Sequence, residues 1–279
     1  MTRSEWLSKV AFKIARVAGY LGGILRQNYT ARERLSLVRA RRPHGREINL
    51  LGFKVSCLSE GAYQLLLREI LFRGEYLFAA ETDSPVILDC GANIGLATLF
   101  FKRLYPNARV SCFEADPTTA TVLRKNVEQN HLRDVTVHNL MLSNAEGEFP
   151  FYTGADEAGM LSMSANPNRT SNHREIVVKA GKLSNFIDGA VDLLKLDVEG
   201  AEWDVMADLQ TSGKISLVRR MVIEYHHRIG GQASCLAGFL SLLENEGFEY
   251  QIAAEGCDPI TRQGVYQDIL IGAYRPSPD

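Results

Sequence analysis

The sequence predicts an α/β fold: a doubly wound, mainly parallel sheet of seven strands with an antiparallel terminal strand, preceded by an N-terminal helical and β extension. Three observations carry this expectation. From residue 86 onward, short apolar runs alternate with segments of helical spacing, and repeated βα units dictate a parallel sheet with helices on both faces. The first run ends in a glycine turn, Gly91 to Gly95, that leads directly into a helix. The last two runs, Phe248 to Ala254 and Ile269 to Tyr274, have no helical pattern between them, so they must pair antiparallel.

In chain order, residues 5–27 place Leu7, Val10, Ile14, Val17, Leu21, Ile24 and Leu25 at helical spacing. Lys9, Lys13 and Arg16 fall on another face, so the segment reads as an amphipathic helix. Arg32 to Arg46 reads as a basic linker broken by Pro43 and Gly45. Glu47 to Leu58 reads as two short strands about Gly52, and Ala62 to Phe78 as a helix. None of these pieces can bury a core alone, so residues 1–80 are expected to form an extension of a domain spanning 81–279.

In that domain, Val86 to Asp89 is a strand and Ile94 to Tyr105 a helix stopped by Pro106. Arg109 to Glu114 is the second strand. Asp116 can cap the next helix, with Pro117 at its first position, where the missing N–H costs nothing. Val135 to Leu142 is the third strand. Phe149 to Tyr152 and Glu175 to Lys179 suit an inserted hairpin around a polar loop, Gly154 to Ser171. Val191 to Leu196 and Leu217 to Tyr225 are the fourth and fifth strands, and Cys235 to Glu246 is a helix ended by Gly247.

Composition narrows the class. With 279 residues, 46% apolar and 23% charged, the chain matches ordinary folded proteins and excludes global disorder, a collagen-like repeat and a small disulfide scaffold. Its five cysteines are odd in number and contain no CxxC pair, which argues against a disulfide framework or a zinc site and for a reducing, cytoplasmic setting. The longest apolar run near the N-terminus has nine residues, Val17 to Leu25, too short to cross a bilayer. Residues 1–50 hold 11 Lys and Arg against 3 Asp and Glu, a head of +8 on a body of −10. That split suits an arm packed on its own acidic body or on a second subunit, and hence a homodimer through the extension. Binding to an anionic membrane surface is the lesser alternative, and no nucleic-acid partner or stable membrane insertion is expected.

Ligands of such sheets bind at the carboxyl ends of the strands, where strand order reverses. The first strand ends in Asp89-Cys90-Gly91-Ala92-Asn93-Ile94-Gly95. Asn93 stands where the dinucleotide fingerprint needs its second glycine, so a pyrophosphate is disfavoured and an adenosyl ligand without phosphate is favoured. Glu114, 23 residues beyond Gly91, ends the second strand and can accept both hydrogen bonds of a ribose diol.

The segments DCGANIG (89–95), FEADP (113–117), NVEQN (126–130), LSNAEG (142–147) and KLDVEGAE (195–202) occur in the order and spacing of the FkbM-type methyltransferases. IEYH (223–226) resembles that family's fifth-strand ending, and the likeness covers roughly residues 47–250. The resemblance implies a class I methyltransferase fold, S-adenosylmethionine as cofactor, and an O-methyltransferase acting on a natural product, glycan or lipid. On that basis Asp89, Gly91, Asn93, Gly95, Glu114 and Asp197 are the expected cofactor-binding residues. Cys90 and Ala115 depart from the family's usual residues without removing a ligand group, and Asn139 to Ser143 offers no acid for the adenine amino group.

Deprotonating an alcohol calls for a general base. Candidates at the fourth and fifth strand ends are Asp197, Glu199, Glu202, Glu224, His226 and His227. If the fifth strand persists, period-two alternation puts Glu224 and His226 on one face, with Tyr225 and His227 opposite. His226, with an ordinary imidazole pKa of roughly 6.5, is expected to be the base, Glu224 its partner, and Asp197 to lie beside the methyl-transfer site. Asp197, Glu199 and Glu202 could instead hold a cation such as Mg²⁺; the metal-free reading is preferred because no Asp-Asn ligand pair follows on the fifth strand. The competing classes are an NAD-dependent oxidoreductase or epimerase and a non-catalytic adenosyl-binding protein.

Overall fold

The computed structural model describes residues 29–40, 45–154, 163–167, 173–229, 235–254 and 267–276. The amphipathic segment at 5–27 and most of the polar loop at 154–171 lie outside them. The backbone divides into two compact units, Met1–Ala79 and Ala80–Asp279.

In the first unit, the segment expected as a basic linker contains a helix, α1 (Ala31–Ala40). Its start is a capping box: Thr30 N donates to Glu33 Oε2 at 2.7 Å, and Glu33 N donates back to Thr30 Oγ1 at 3.3 Å. The run of arginines obscures this Thr-x-x-Glu signal, while Leu37 and Ala40 of the helix are buried. Strands β1 (Glu47–Leu50) and β2 (Phe53–Ser56) form the expected hairpin. Leu51 (φ 52°) and Gly52 (φ 91°) turn it in the left-handed sense that matches strand twist. Helix α2 (Glu60–Leu66) opens on Ser59, whose Oγ accepts from Ala62 N, and continues as a π-helical stretch, Leu67–Arg73. Gly74 (φ 69°) ends it, four residues short of Phe78.

The second unit is the expected α/β body. Strand β3 (Val86–Cys90) leads into α3 (Leu96–Leu104), β4 (Arg109–Glu114) into α4 (Pro117–Gln129), and then β5 (Val135–Asn139). Asp116 caps α4, accepting from Thr119 N at 2.7 Å, with Pro117 at the first position. The expected third strand divides at Leu140. Leu140 N donates to Glu114 O, and Asn139 Nδ2 donates to the carbonyls of Glu114 and Ala115, which ends the pairing with β4. The chain then enters a separate three-stranded sheet of β6 (Met141–Leu142), β7 (Gly147–Gly154) and β8 (His173–Gly181), ordered β6-β8-β7, whose β7–β8 pair is the expected insertion.

The chain returns through β9 (Leu193–Leu196), α5 (Glu202–Thr211), β10 (Arg220–His227), α6 (Leu236–Asn245), β11 (Glu249–Ala254) and β12 (Gln267–Tyr274). The seven-stranded sheet is ordered β11-β12-β10-β9-β3-β4-β5. Every pairing from β10 to β5 is parallel, whereas β12 is antiparallel to both neighbours. The antiparallel strand is therefore not the sheet edge: β12 inserts between β10 and β11. All four residues of β9 are buried, and Leu88, Leu194, Leu196, Val205, Ile223 and Phe239 share one core cluster. Each such side chain contributes about 1.5–3 kcal/mol on burial. Because β4 and β9 flank β3, strand order reverses there, opening the crevice at the carboxyl ends of these strands.

Candidate active site

The glycine turn after β3 is tied down by its neighbours. Gly91 N and Ala92 N both donate to Phe113 O, at 3.0 and 2.9 Å. Gly91 (φ 78°), Asn93 (φ 49°) and Gly95 (φ 85°) are left-handed, which explains two glycines and one asparagine in a single turn. A Cβ at Gly91 would collide with the Asp197 carbonyl, and one at Gly95 would meet Leu123 Cδ1 at 2.5 Å. The sequence suggests that the glycines admit a ligand; in the structure their lack of a Cβ also admits the Asp197 carbonyl, just past β9, and Leu123 of α4.

Glu114, at the end of β4, is 6% exposed. Its Oε2 accepts from Asn93 N and its Oε1 from Asp116 N, both at 2.9 Å. Burial pushes its pKa up to about 7, against the opposing pull of those two N–H donors. Each oxygen keeps acceptor capacity for a further donor. A buried acid locked at a strand end with acceptor capacity left is a fit for a ribose diol, so this turn and this acid suit an adenosyl group.

Asp89 faces the interior. It is fully buried, its Oδ2 accepts from Thr98 Oγ1 at 2.7 Å, and its Oδ1 stands 3.7 Å from Lys195 Nζ. Burial raises its pKa, with Lys195 and Thr98 opposing. It therefore reaches the turn only through Lys195. That lysine is buried, donates to Gly91 O at 2.7 Å, and pairs with Asp197 Oδ2 at 3.1 Å.

Strand β10 runs on to His227, two residues beyond the expected end, so His226 sits within the sheet. Its side chain is 1% exposed. Nδ1 lies 2.8 Å from Glu202 Oε1, so Glu202, not Glu224, is the partner on that side. Nε2 faces Glu199 Oε2 at 3.2 Å, Asp197 Oδ1 and Asp268 Oδ1 at 3.8 Å, and Glu224 Oε1 at 4.0 Å. Burial alone would lower the imidazole pKa, but Glu199, Glu202 and Asp197 outweigh it and raise it well above the ordinary value. His226 is thus shifted toward its protonated form relative to the near-ordinary histidine that the sequence suggests. Three carboxylates clustered between β9 and the start of α5, Glu199, Glu202 and Asp197, explain the difference. His227 lies on the opposite face beside Tyr225, and burial and Arg228 lower its pKa.

The turn carrying Glu199 is held by Glu202. Glu202 Oε1 also accepts from Val198 N at 3.3 Å and Gly200 N at 3.0 Å, while Glu199 (φ 52°) and Gly200 (φ 105°) are both left-handed. From the inserted hairpin, Ser164 Oγ donates to Glu199 O at 2.5 Å and its backbone bridges Tyr152. Two sets of ligand-type atoms share His226: Asp197 with Glu199, and Glu224 with Asp268. Each set is close enough to converge on one divalent cation.

Sequence reasoning thus finds Asp197, Glu199, Glu224 and His226 in one place, with Gly91 and Glu114 at neighbouring strand ends. It misses Lys195, the role of Glu202, and Asp268. The first two lie within the KLDVEGAE segment; Asp268 is found only through the register that pairs it with His226.

The chain is similar to known methyltransferases. The family model described as the methyltransferase FkbM domain matches residues 89–250. Methyltransferase sdnD of Sordaria araneosa is 30% identical over 218 residues, covering 67% of this chain and 82% of that protein. The 31-O-demethyl-FK506 methyltransferase FkbM of Streptomyces tacrolimicus is 28% identical over 229 residues, covering 71% and 86%. The 2-O-methyltransferase NoeI of Sinorhizobium fredii is 30% identical over 159 residues, covering 51% and 63%. Among solved structures, the methyltransferase FkbM of Methylobacillus flagellatus shares 16% identity with a TM-score of 0.47, covering 87% of this chain and 59% of that one. With the family model matched over more than half of its residues, this chain belongs to the FkbM methyltransferase family.

Proposed function

We propose that the chain is an S-adenosylmethionine-dependent O-methyltransferase whose acceptor is a hydroxyl of a natural product, glycan or lipid. The observation that carries this reading is the meeting of Glu114, the Gly91 turn and the His226 cluster at the carboxyl ends of adjacent strands β4, β3, β9 and β10. The names of two relatives support a hydroxyl: one is a 2-O-methyltransferase, the other a 31-O-demethyl-FK506 methyltransferase.

When bound, S-adenosylmethionine supplies an electrophilic methyl group on a positively charged sulfur. Glu114 would hold the ribose diol, and the Gly91–Gly95 turn would hold the methionine portion. Asp197 lies beside both the turn and His226 and would flank the methyl-transfer site. His226 takes the acceptor's hydroxyl proton at Nε2 while Glu202 holds Nδ1–H. The imidazole takes that proton only when Nε2 carries none; a proton on Nε2 is lost first to the facing Glu199 carboxylate, 3.2 Å away. Positive charge arriving at this acidic pocket favours that loss.

The test is to incubate the protein with labelled S-adenosylmethionine and an extract fractionated into glycans, lipids and small metabolites, then identify the labelled fraction. His226→Ala should lower transfer to that acceptor by about 10²–10⁴-fold with S-adenosylhomocysteine affinity nearly intact. Unchanged transfer would move the base to Asp197 or Glu199. Activity lost to a chelator and restored by Mg²⁺ would favour the carboxylates as a metal site, and tight cofactor binding without transfer to any fraction would overturn catalysis.

A further inference from the structure

We propose that Lys195 is a positioning residue that locks the cofactor turn onto β9 and, through its charge, sets the relative affinity for S-adenosylmethionine and S-adenosylhomocysteine. This rests on the cofactor reading above. A lysine is almost never fully buried unless paired, because its ammonium gives up hydration worth several kcal/mol. Lys195 is 2% exposed, on a strand whose other residues are all leucine. An apolar side chain would serve the core at that position, so the ammonium needs another reason.

Its contacts supply one. Nζ donates to Gly91 O at 2.7 Å and Cys90 O at 3.3 Å, both at the start of the turn. The same atom pairs with Asp197 Oδ2 at 3.1 Å, and Asp89, its register partner on β3, lies 3.7 Å away. With Gly91 O held by Lys195 and Ala92 N by Phe113 O, both sides of the Gly91–Ala92 peptide are fixed. Left without the ammonium, that carbonyl would lose its partner and Asp197 its counter-charge.

The charge has a separate consequence. Asp197, Glu199, Glu224 and Asp268 crowd one end of this region, so it favours cations. Lys195 offsets part of that field at Asp197, the acid that abuts the turn. The two ligands share nearly the same shape and differ by one positive charge at sulfur. A neutral residue at 195 therefore strengthens the sulfonium form relative to the thioether form. In the native protein, Lys195 keeps the charged ligand from being held so tightly.

The experiment is calorimetric titration of the full-length protein with each ligand, comparing wild type with Lys195→Gln and Lys195→Arg. Glutamine can still donate to Gly91 O but carries no charge; arginine keeps the charge in another shape. Lys195→Gln should lower the ratio of the S-adenosylmethionine Kd to the S-adenosylhomocysteine Kd by about threefold or more. Lys195→Arg should weaken both ligands while leaving the ratio near its wild-type value. Lys195→Met serves as a second neutral variant should the glutamine protein not fold, with the same expected change in ratio. A purely structural lysine would weaken both ligands by one factor, so an unmoved ratio in the neutral variants would overturn the inference, as would an equal change in the arginine variant. Wild-type protein that binds neither ligand would instead overturn the cofactor reading itself.

Discussion

His226 Nδ1 and Glu202 Oε1 lie 2.8 Å apart, and that oxygen also accepts the backbone N–H groups of Val198 and Gly200. One buried carboxylate oxygen therefore fixes both the imidazole and the turn that carries Glu199. Replacing Glu202 by Ala leaves two backbone donors and the imidazole without this acceptor. We expect a loss of about 2–4 kcal/mol in stability, read as a lower urea midpoint. A midpoint equal to that of wild type would show that the turn holds itself.

Glu114 gives a pH dependence with a definite sign. Its carboxyl, lifted by burial to about 7, accepts both diol hydrogens only when ionised. Affinity for S-adenosylhomocysteine should therefore rise as pH increases through about 7, and Glu114→Gln should flatten the profile and weaken binding by about 1–3 kcal/mol. Folding has the opposite slope. A carboxyl raised above its ordinary 4.5 contributes stability that is fully present below that value and is lost as pH rises through about 7. Denaturant titrations of the ligand-free protein at pH about 5 and about 8 check this, with a smaller fall expected in the glutamine variant, which lacks this carboxyl.

Gly91→Ala tests the closeness of turn and strand. The new methyl group meets the Asp197 carbonyl, and the residue keeps a left-handed φ of 78° that disfavours any side chain. Because backbone cannot move aside as a flexible side chain can, we expect a loss of about 3 kcal/mol or more. A melting temperature within a degree or two of wild type would contradict that geometry.

The thiols differ sharply in reach. Cys57, Cys90 and Cys112 are buried, while Cys235 is exposed, its Sγ 3.0 Å from both Trp203 Nε1 and Tyr225 Oη. Burial also pushes the three interior thiols above their ordinary pKa, which lowers their thiolate fraction. Among these four, Cys235 should take up iodoacetamide first, and Cys235→Ser should remove the earliest adduct in a mass-spectrometric time course. Equal labelling of Cys90 or Cys112 in folded protein would contradict their burial.

The alternation from Val86 to Tyr274 was legible because buried parallel strands must be short apolar runs and their crossovers must be helical. Asp116 and Pro117 announced α4, and Gly247 the end of α6, because caps act within a few residues. The helix over Ala31–Ala40 was obscured because its three arginines outweighed a capping signal of only two residues. The split at Leu140 depends on Asn139 donating to carbonyls 24 and 25 residues away, which no local pattern encodes. In the site, residue types were legible but partners were not. Period-two alternation correctly put Glu224 and His226 on one face, yet the nearest acid came from the start of α5, and Asp268 came from a strand whose register the sequence leaves open.

The position of β12 bears on how the molecule is made. This strand follows every other strand in the chain, yet it lies between β10 and β11, with edges paired on both sides. A nascent chain in which β12 is still inside the ribosome holds two open strand edges, and His226 has yet to meet Asp268. Among the described strands β11 pairs with β12 alone, so neither joins the sheet until β12 is made, and the cluster that includes Asp268 is completed only then. Until then the open edge of β10 is a template for any stray strand, and chaperone protection would matter most in that interval.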